Sequence, residues 1–146
     1  MSHTYEDGNV SREAEDLNRR LLRARDAMDR SYADPLDVRA VAAVAHISPA
    51  HFSRCFRAAF GESPHRYLQR RRVERSMFML REGDRSVTDI CFDVGFSSPG
   101  TFSRTFTEIV GESPSAYQKG HGPIVTPHCV HLAAMRPRNS AGDAAR

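Results

Sequence analysis

Two serine–arginine pairs, Ser53-Arg54 and Ser103-Arg104, recur 50 residues apart in similar surroundings. An arginine presents a rigid planar fork of N–H donors, which matches the O6 and N7 atoms of guanine or the oxygens of a phosphate. One such bidentate pair with guanine discriminates against a wrong base by ~1–3 kcal/mol. The two arginines are therefore candidates for nucleic-acid recognition, and the competing interpretation is that both are ordinary solvated side chains.

The basic residues are almost all arginine. Of the 21 lysine and arginine residues, only Lys119 is a lysine, and the formal net charge is +3. This bias fits a nucleic-acid partner, but codon bias in a GC-rich genome gives the same composition. Position adds information, since residues 35–119 hold twelve basic and nine acidic side chains whereas residues 1–34 hold six and eight.

The serine–arginine pairs belong to a duplicated segment. Residues 48–67 match residues 98–117 at 11 of 20 positions. In each copy, a short stripe of small or branched apolar residues leads through a turn to a Ser-Pro pair, which is typical of a helix N-cap followed by proline in the first turn. A second helix with two phenylalanines follows, and a glycine ends it. Each copy is thus predicted to be a helix-turn-helix unit, at about residues 36–61 and 86–111.

The rest of the chain completes an all-α fold of about seven helices. Residues 64–82 contain no glycine and no proline after the first position, and they predict one long helix that links the two units. Apolar residues spaced i, i+4, i+7 and i+11 from Leu17 predict an amphipathic first helix in a domain that spans residues 14–119. Residues 1–13 and 120–146 lack helical periodicity, so we expect a flexible N-terminus and a flexible C-terminal tail.

A helical wheel identifies the side chains that could read bases. When the paired phenylalanines point inward, the outward positions near the start of each second helix are those that a helix-turn-helix presents to the major groove. They are Ala50, Ser53, Arg54 and Arg57 in the first unit, and Gly100, Ser103 and Arg104 with Thr101 beside them in the second.

A second set of residues is suited to contact with the nucleic-acid backbone. Ser48 and Ser98 cap helix N-termini, which attract phosphate oxygens, although ordinary capping explains both equally well. Arg66, Arg70 and Arg71 are phosphate candidates on the linking helix, and a solvated helix face is the competing interpretation. Arg57 and Ser103 complete this predicted set.

The second unit carries the most specific pattern. From Asp89 the sequence reads Asp-Ile-Cys-Phe-Asp-Val-Gly-Phe-Ser-Ser, then Phe-Ser-Arg-Thr-Phe from Phe102, followed by Gly111, Ser113-Pro114 and Tyr117. With the duplication and the linking helix, this pattern resembles the DNA-binding domain of the AraC/XylS family of bacterial transcription regulators over residues 14–119.

The resemblance implies a monomer that places two recognition helices in successive major-groove segments of promoter DNA and activates transcription by contact with RNA polymerase. Carried onto this sequence, the base-reading positions are Ala50, Ser53 and Arg54 in the first unit and Gly100, Thr101 and Arg104 in the second. Ala50 and Gly100 are too short to hydrogen-bond a base, where other family members have larger side chains. We therefore expect Arg54 and Arg104 to be the principal readers.

Chain length bears on regulation. The 146 residues leave no room for an effector-binding domain beside two helix-turn-helix units, so the short, single-domain type is expected, with control outside the chain. The alternatives are a fragment of a longer regulator or a separate sensor protein. No apolar run reaches the ~18 residues of a membrane span, and the first ten residues do not resemble a signal peptide. A cytoplasmic location is therefore expected.

A catalytic or metal-binding role would have to use cysteine and histidine. His128, Cys129 and His131 lie close together in the tail, but a fourth ligand is missing, so an incidental grouping is favoured over a zinc or copper site. Cys55 and Cys91 fall on apolar stripes, where thiols are usually inert. We predict no metal, no cofactor and no enzymatic activity.

The remaining rival is a helical protein-interaction module that does not bind DNA. In that case the apolar face of the first helix would be a partner surface rather than a cover for the core. Replacement of Arg54 and Arg104 distinguishes the two, because only a groove reader loses DNA affinity with them.

Overall fold

The computed structural model describes residues 6–123, and within that range the only regular elements are seven α-helices. They are α1 (Glu6–Arg30), α2 (Val38–Val44), α3 (Pro49–Phe60), α4 (Pro64–Glu82), α5 (Val87–Asp93), α6 (Pro99–Val110) and α7 (Pro114–Gly120). Helices α2 and α3 form the first helix-turn-helix unit, α5 and α6 form the second, and α4 links them. The predicted all-α fold is confirmed. Of the described helices, none is long and apolar enough to cross a membrane.

Four of the helices begin in the same way, with a serine N-cap followed by proline in the first turn. The Ser48 hydroxyl accepts a hydrogen bond from the His51 amide at 3.3 Å, and the Ser98 hydroxyl accepts one from the Thr101 amide at 3.2 Å. Serines at equivalent positions cap α4 and α7. The Ser-Pro pairs therefore fix where α3, α4, α6 and α7 start, as the sequence predicts.

The duplication is visible in how the aromatic rings pack. In each unit, two phenylalanines of the second helix and a tyrosine of the following helix form a series of tilted or edge-to-face contacts. Neighbouring ring centroids lie 5.5 Å apart in the first unit and 5.6–5.7 Å apart in the second. The rings are Phe52, Phe56 and Tyr67 in the first unit and Phe102, Phe106 and Tyr117 in the second.

The linking helix α4 is shared between two hydrophobic cores. Its first half places Tyr67 and Leu68 in a core with α1, α2 and α3, and its second half places Val73 and Leu80 in a core with α5, α6 and α7. Each unit thus buries its apolar face against a different part of the same helix. The positions of α3 and α6, the second helices of the two units, therefore both depend on α4.

Helix α1 is tied to α4 by a shared carboxylate. The Tyr67 hydroxyl donates a hydrogen bond to Asp29 Oδ1 at 2.8 Å, and Arg71 Nε donates to the same oxygen at 2.9 Å. Burial, together with the hydrogen bond to Asp29, raises the pKa of Tyr67 to about 12. The raised pKa extends the range in which the tyrosine donates this hydrogen bond toward higher pH.

The prediction of a flexible segment at residues 1–13 is wrong for residues 6–13, which form the first two turns of α1. From Gly8 onward their side chains are exposed, so the segment needs no apolar stripe and periodicity could not reveal it. The Asn9 side-chain amide donates to the Glu13 carboxylate at 3.0 Å, a pairing one turn apart that supports an exposed helix.

Part of the predicted flexible tail can be placed. Helix α7 ends at Gly120, and residues 121–123 follow it without helical structure. Residues 1–5 and 124–146 lie outside the described residues, and so does the grouping of His128, Cys129 and His131 in the tail.

The turns inside the two units differ in their central residue. His46 in the first turn and Gly95 in the second both have positive φ, at 57° and 97°. A Cβ atom on Gly95 would lie 2.8 Å from the backbone oxygen of Ala33, in the connection between α1 and α2. Glycine is therefore required in the second turn by both its conformation and a close backbone approach.

We predict that Gly95→Ala destabilises the protein by about 2–4 kcal/mol, because it combines a strained φ with a clash against backbone. Denaturant unfolding followed by circular dichroism measures the loss. The matched control is Gly111→Ala, since Gly111 has a φ of 92° but nothing within 4 Å of an added Cβ, and a loss of about 1 kcal/mol is expected there. Equal losses for the two variants would show that the approach to Ala33 imposes no constraint.

Candidate nucleic-acid interface

Helix α3 turns a polar face to solvent. Ala50, Arg54 and Arg57 are exposed, whereas Phe52 and Phe56 are fully buried on the opposite side. Ser53 lies half-buried at the edge of this face. The helix thus has one side anchored in the core and the other open to a partner, as the helical wheel predicts.

Helix α6 repeats this arrangement. Its exposed positions near the N-terminus are Gly100, Thr101 and Arg104, and Ser103 is half-buried at the edge. The two phenylalanines, Phe102 and Phe106, are fully buried. The serine–arginine pairs therefore occupy equivalent positions on two exposed helix faces.

Arg39 and Arg57, the other arginines of the two units, are exposed and form no salt bridge within residues 6–123, and Arg54 and Arg104 share this state but also recur at equivalent positions of α3 and α6. Arg54 and Arg104 each keep all their donors available on an exposed face, and arginines in this state can form bidentate pairs with guanine. The geometry of these two side chains is the strongest sign of a recognition surface.

One exposed position of this surface was not selected from the sequence. His51 lies beside Ala50 on α3 and is exposed, and it corresponds to Thr101 in the second copy of the repeat. An offset of 50 residues applied to Thr101 would have identified it. The two equivalent positions carry different chemistry, a ring with two nitrogens in one unit and a hydroxyl in the other.

The phosphate contacts predicted for Arg70 and Arg71 are not what their surroundings favour. Arg70 donates from Nε and Nη2 to Glu62 at 3.0 and 2.6 Å, and it also pairs with Glu74. Arg71 donates to Asp29 at 2.9 Å and to Glu74 at 2.8 Å. The hydrogen bonds to Glu62 raise the pKa of the Arg70 guanidinium. Both guanidiniums pair with carboxylates of α1, α4 and the connection between α3 and α4, and their contact with phosphate stays a prediction.

The other residues predicted to contact DNA phosphate are not held by strong ion pairs between the described residues. Arg66 lies 3.7 Å from Glu108, but both side chains are largely exposed, and an exposed pair at this distance holds its partners weakly. Ser48 and Ser98 act as N-caps, and Ser98 also donates to the Thr101 hydroxyl at 3.0 Å. Their contact with phosphate stays a prediction.

The structure gives no sign of a catalytic or metal site among the described residues. Cys91 is buried, and burial raises the pKa of its thiol, which leaves less of the nucleophilic thiolate. Cys55 is half-buried rather than buried. Between residues 6 and 123, no three side chains of the types that bind metals are grouped to hold an ion.

Comparison with known proteins identifies the family. A family of helix-turn-helix domains matches residues 41–120. The DNA-binding domain of AdpA, a global transcriptional factor crystallised in complex with a target DNA, is 30% identical to this chain, with a TM-score of 0.66 over 69% of this chain and 91% of that one.

Two further structures share the fold at lower identity. The C-terminal domain of AraT, a response regulator from Geobacillus stearothermophilus, is 24% identical, with a TM-score of 0.67 over 76% of this chain and 94% of that one. A transcriptional regulator from Chromobacterium violaceum with an AraC-type DNA-binding domain is also 24% identical, with a TM-score of 0.65 over 70% of this chain and 91% of that one.

The family match spans more than half of the chain, and it coincides with the two helix-turn-helix units and the helix between them. The chain belongs to the AraC-type helix-turn-helix family of DNA-binding transcriptional regulators. The resemblance found in the sequence is thereby confirmed.

We predict that Arg71→Ala lowers the free energy of unfolding by about 1 kcal/mol, because Asp29 loses one of its two hydrogen-bond donors. The dependence of DNA affinity on salt should stay at the wild-type slope. Unfolding in urea and titrations of a bound DNA fragment at several salt concentrations measure the two quantities. A slope reduced by about 0.9, the value for one lost phosphate contact, would show that Arg71 contacts DNA after all.

Proposed function

We propose that this protein is a sequence-specific regulator that binds an asymmetric promoter site as a monomer, with α3 and α6 in successive major-groove segments. The observation that carries the proposal is the pair Arg54 and Arg104, exposed and without a salt bridge in the described range, at equivalent positions of two recognition helices. One chain supplies two reading heads, so a single copy would cover about two helical turns of DNA.

In this proposal the two arginines read bases, and the short residues Ala50 and Gly100 determine how deeply α3 and α6 enter the major groove. Arg54 and Arg104 pair with guanine edges. Ala50 and Gly100 lie one turn before the arginines and add no long side chain, so α3 and α6 can enter the groove deeply. Ala50 offers a methyl group to a thymine methyl. Because Gly100 has no side chain, the second unit relies more on its arginine.

Half-buried and capping groups at the edges of the two faces would position the protein on the DNA backbone. Ser103 flanks Arg104 at the edge of its face, whereas Ser53 and Thr101 stay candidates for base reading beside the arginines. Arg57, Arg66, Ser48 and Ser98 are our candidates for phosphate contact. Such contacts fix register and orientation without carrying sequence information.

A DNA-bound relative supports this use of the fold. The DNA-binding domain of AdpA was crystallised in complex with a target DNA, and it is 30% identical to this chain. We propose that the present protein likewise acts by binding DNA rather than by catalysis. We further propose that it activates transcription through contact with RNA polymerase, in the cytoplasm of a bacterium.

Selection of bound sequences from a random DNA pool tests the binding mode. The expected result is an asymmetric motif with two boxes separated by about one helical turn. A palindrome would contradict a monomer and point to dimerisation. A motif with one box would contradict the use of both recognition helices.

We predict that Arg54→Ala and Arg104→Ala each weaken binding to the selected site by about tenfold to a hundredfold and relax specificity in one box only, since each removes one bidentate pair with guanine. The double variant should approach non-specific affinity. Electrophoretic mobility shifts measure both effects. Arg19→Ala is the matched control, because Arg19 is an exposed arginine on α1, outside both helix-turn-helix units, and it should change affinity little. If the double variant bound like the control, neither arginine would read a base.

A further inference from the structure

The connection between α1 and α2, residues 31–37, reaches from the first unit to the second. The ring of Tyr32 packs against the hydrophobic cores of both units. The guanidinium of Arg75 lies over this ring, 5.4 Å from its centroid. A loop that belongs to the first unit by sequence therefore touches the second unit directly.

Arg72 binds this loop from the linking helix. Its Nε donates to the backbone oxygen of Tyr32 at 2.6 Å, and its Nη2 donates to the backbone oxygen of Asp34 at 2.8 Å. On the other side, the guanidinium lies 6.0 Å from the ring centroid of Phe96. Phe96 is buried in the second core, where its ring packs 5.1 Å from that of Phe102. Arg72 thus contacts both units at once.

Gly95 completes the contact from the second unit. The turn between α5 and α6 approaches the loop so closely that an added Cβ would lie 2.8 Å from the oxygen of Ala33. The residue next to Gly95 is Phe96, over which Arg72 lies. Backbone of the second turn and backbone of the loop are therefore packed together beside the same arginine.

Arg72 occupies this position at an electrostatic cost. It is half-buried, and it forms no salt bridge with a residue of the described range. Burial lowers the pKa of its guanidinium. Desolvation of a charge without a carboxylate partner is unfavourable, whereas neighbouring Arg70 and Arg71 are both paired with carboxylates. The partners that compensate this desolvation are the loop oxygens of Tyr32 and Asp34, so the charge is held by the loop itself.

We infer that Arg72, clamped between the loop oxygens of Tyr32 and Asp34 and the ring of Phe96, is a positioning residue that fixes the angle between the two recognition helices and thereby the spacing of the two DNA boxes. This inference rests on the proposed two-box binding for its effect on DNA, but the clamp itself concerns the free protein.

The contact between the loop and the second unit should restrict rotation of one unit relative to the other. Two units joined only through α4 could rotate relative to one another as the helix bends or twists, whereas a contact between the loop and the second turn blocks that rotation. When one recognition helix is docked, the effective concentration of the other at its box depends on how well the spacing is fixed. A rigid clamp favours one spacing and disfavours the others.

The test compares Arg72→Ala and Arg72→Lys with the wild-type full-length chain. Arg70→Ala is the matched control, because it removes the same type of side chain from the same helix, and its carboxylate partners lie outside the loop. Affinity is measured for the selected site and for versions with one base pair inserted or deleted between the boxes. Residual dipolar couplings of the backbone amides of α3 and α6 report the relative orientation of the units without DNA.

The wild-type protein and Arg70→Ala should both lose about tenfold in affinity when the spacing changes, and one alignment tensor should fit both recognition helices. Arg72→Ala should bind all spacings within about threefold of one another, and its two helices should require different tensors. Arg72→Lys keeps the charge but cannot hold both loop oxygens with a planar fork, so it should show the same changes even if Arg72→Ala fails to fold.

Outcomes that overturn the clamp differ from those that overturn the proposed function. If the Arg72 variants keep the wild-type spacing preference and a single alignment tensor, the clamp is wrong. If the wild-type protein selects no two-box site, the proposed binding mode fails, and the tensors alone decide whether Arg72 fixes the orientation of the units.

Discussion

The structure depends on one constraint, which is that a single helix belongs to two hydrophobic cores. Tyr67 and Leu68 of α4 are buried in the first core, and Val73 and Leu80 of the same helix are buried in the second. Side chains on one α-helix are separated by a fixed rotation and rise per residue. The direction in which each core lies is therefore set by the spacing of these buried residues, and so is the direction in which each recognition helix faces.

Among the described residues, some arginines bind groups of the fold and others remain open to a partner. Arg70 and Arg71 bind carboxylates within the fold, and Arg72 binds backbone oxygens of a neighbouring loop. Arg54 and Arg104 stay exposed on the recognition helices. The net charge of +3 hides this division. Arg54 and Arg104 can thus remain open to a partner while Arg70, Arg71 and Arg72 bind groups within the fold.

The sequence was sufficient where local rules decide the structure. Ser63-Pro64 and Gly83 bound the linking helix because capping depends on neighbouring residues only, and the outward position of Arg54 follows from the buried phenylalanines of its own helix. It was insufficient where distant residues decide. Asp29 meets Arg71 across 42 positions, so no local pattern could show that this arginine is already paired. The exposed start of α1 was missed for the opposite reason, because that segment has no core contact to leave a periodic signature.

The duplication is compatible with the asymmetric site that we propose, although the two units are similar. The two copies have kept the same internal structure: the serine caps, the paired phenylalanines and the tyrosine recur in equivalent geometry. The outer faces have diverged at the same time: His51 corresponds to Thr101, and Arg57 corresponds to Thr107, whose hydroxyl donates to the oxygen of Ser103 within its own helix. The serine–arginine pairs, Ser53-Arg54 and Ser103-Arg104, are common to both faces. In the proposed binding mode, two similar units with different outer faces would read two different sequences, so the preferred site would be asymmetric rather than repeated.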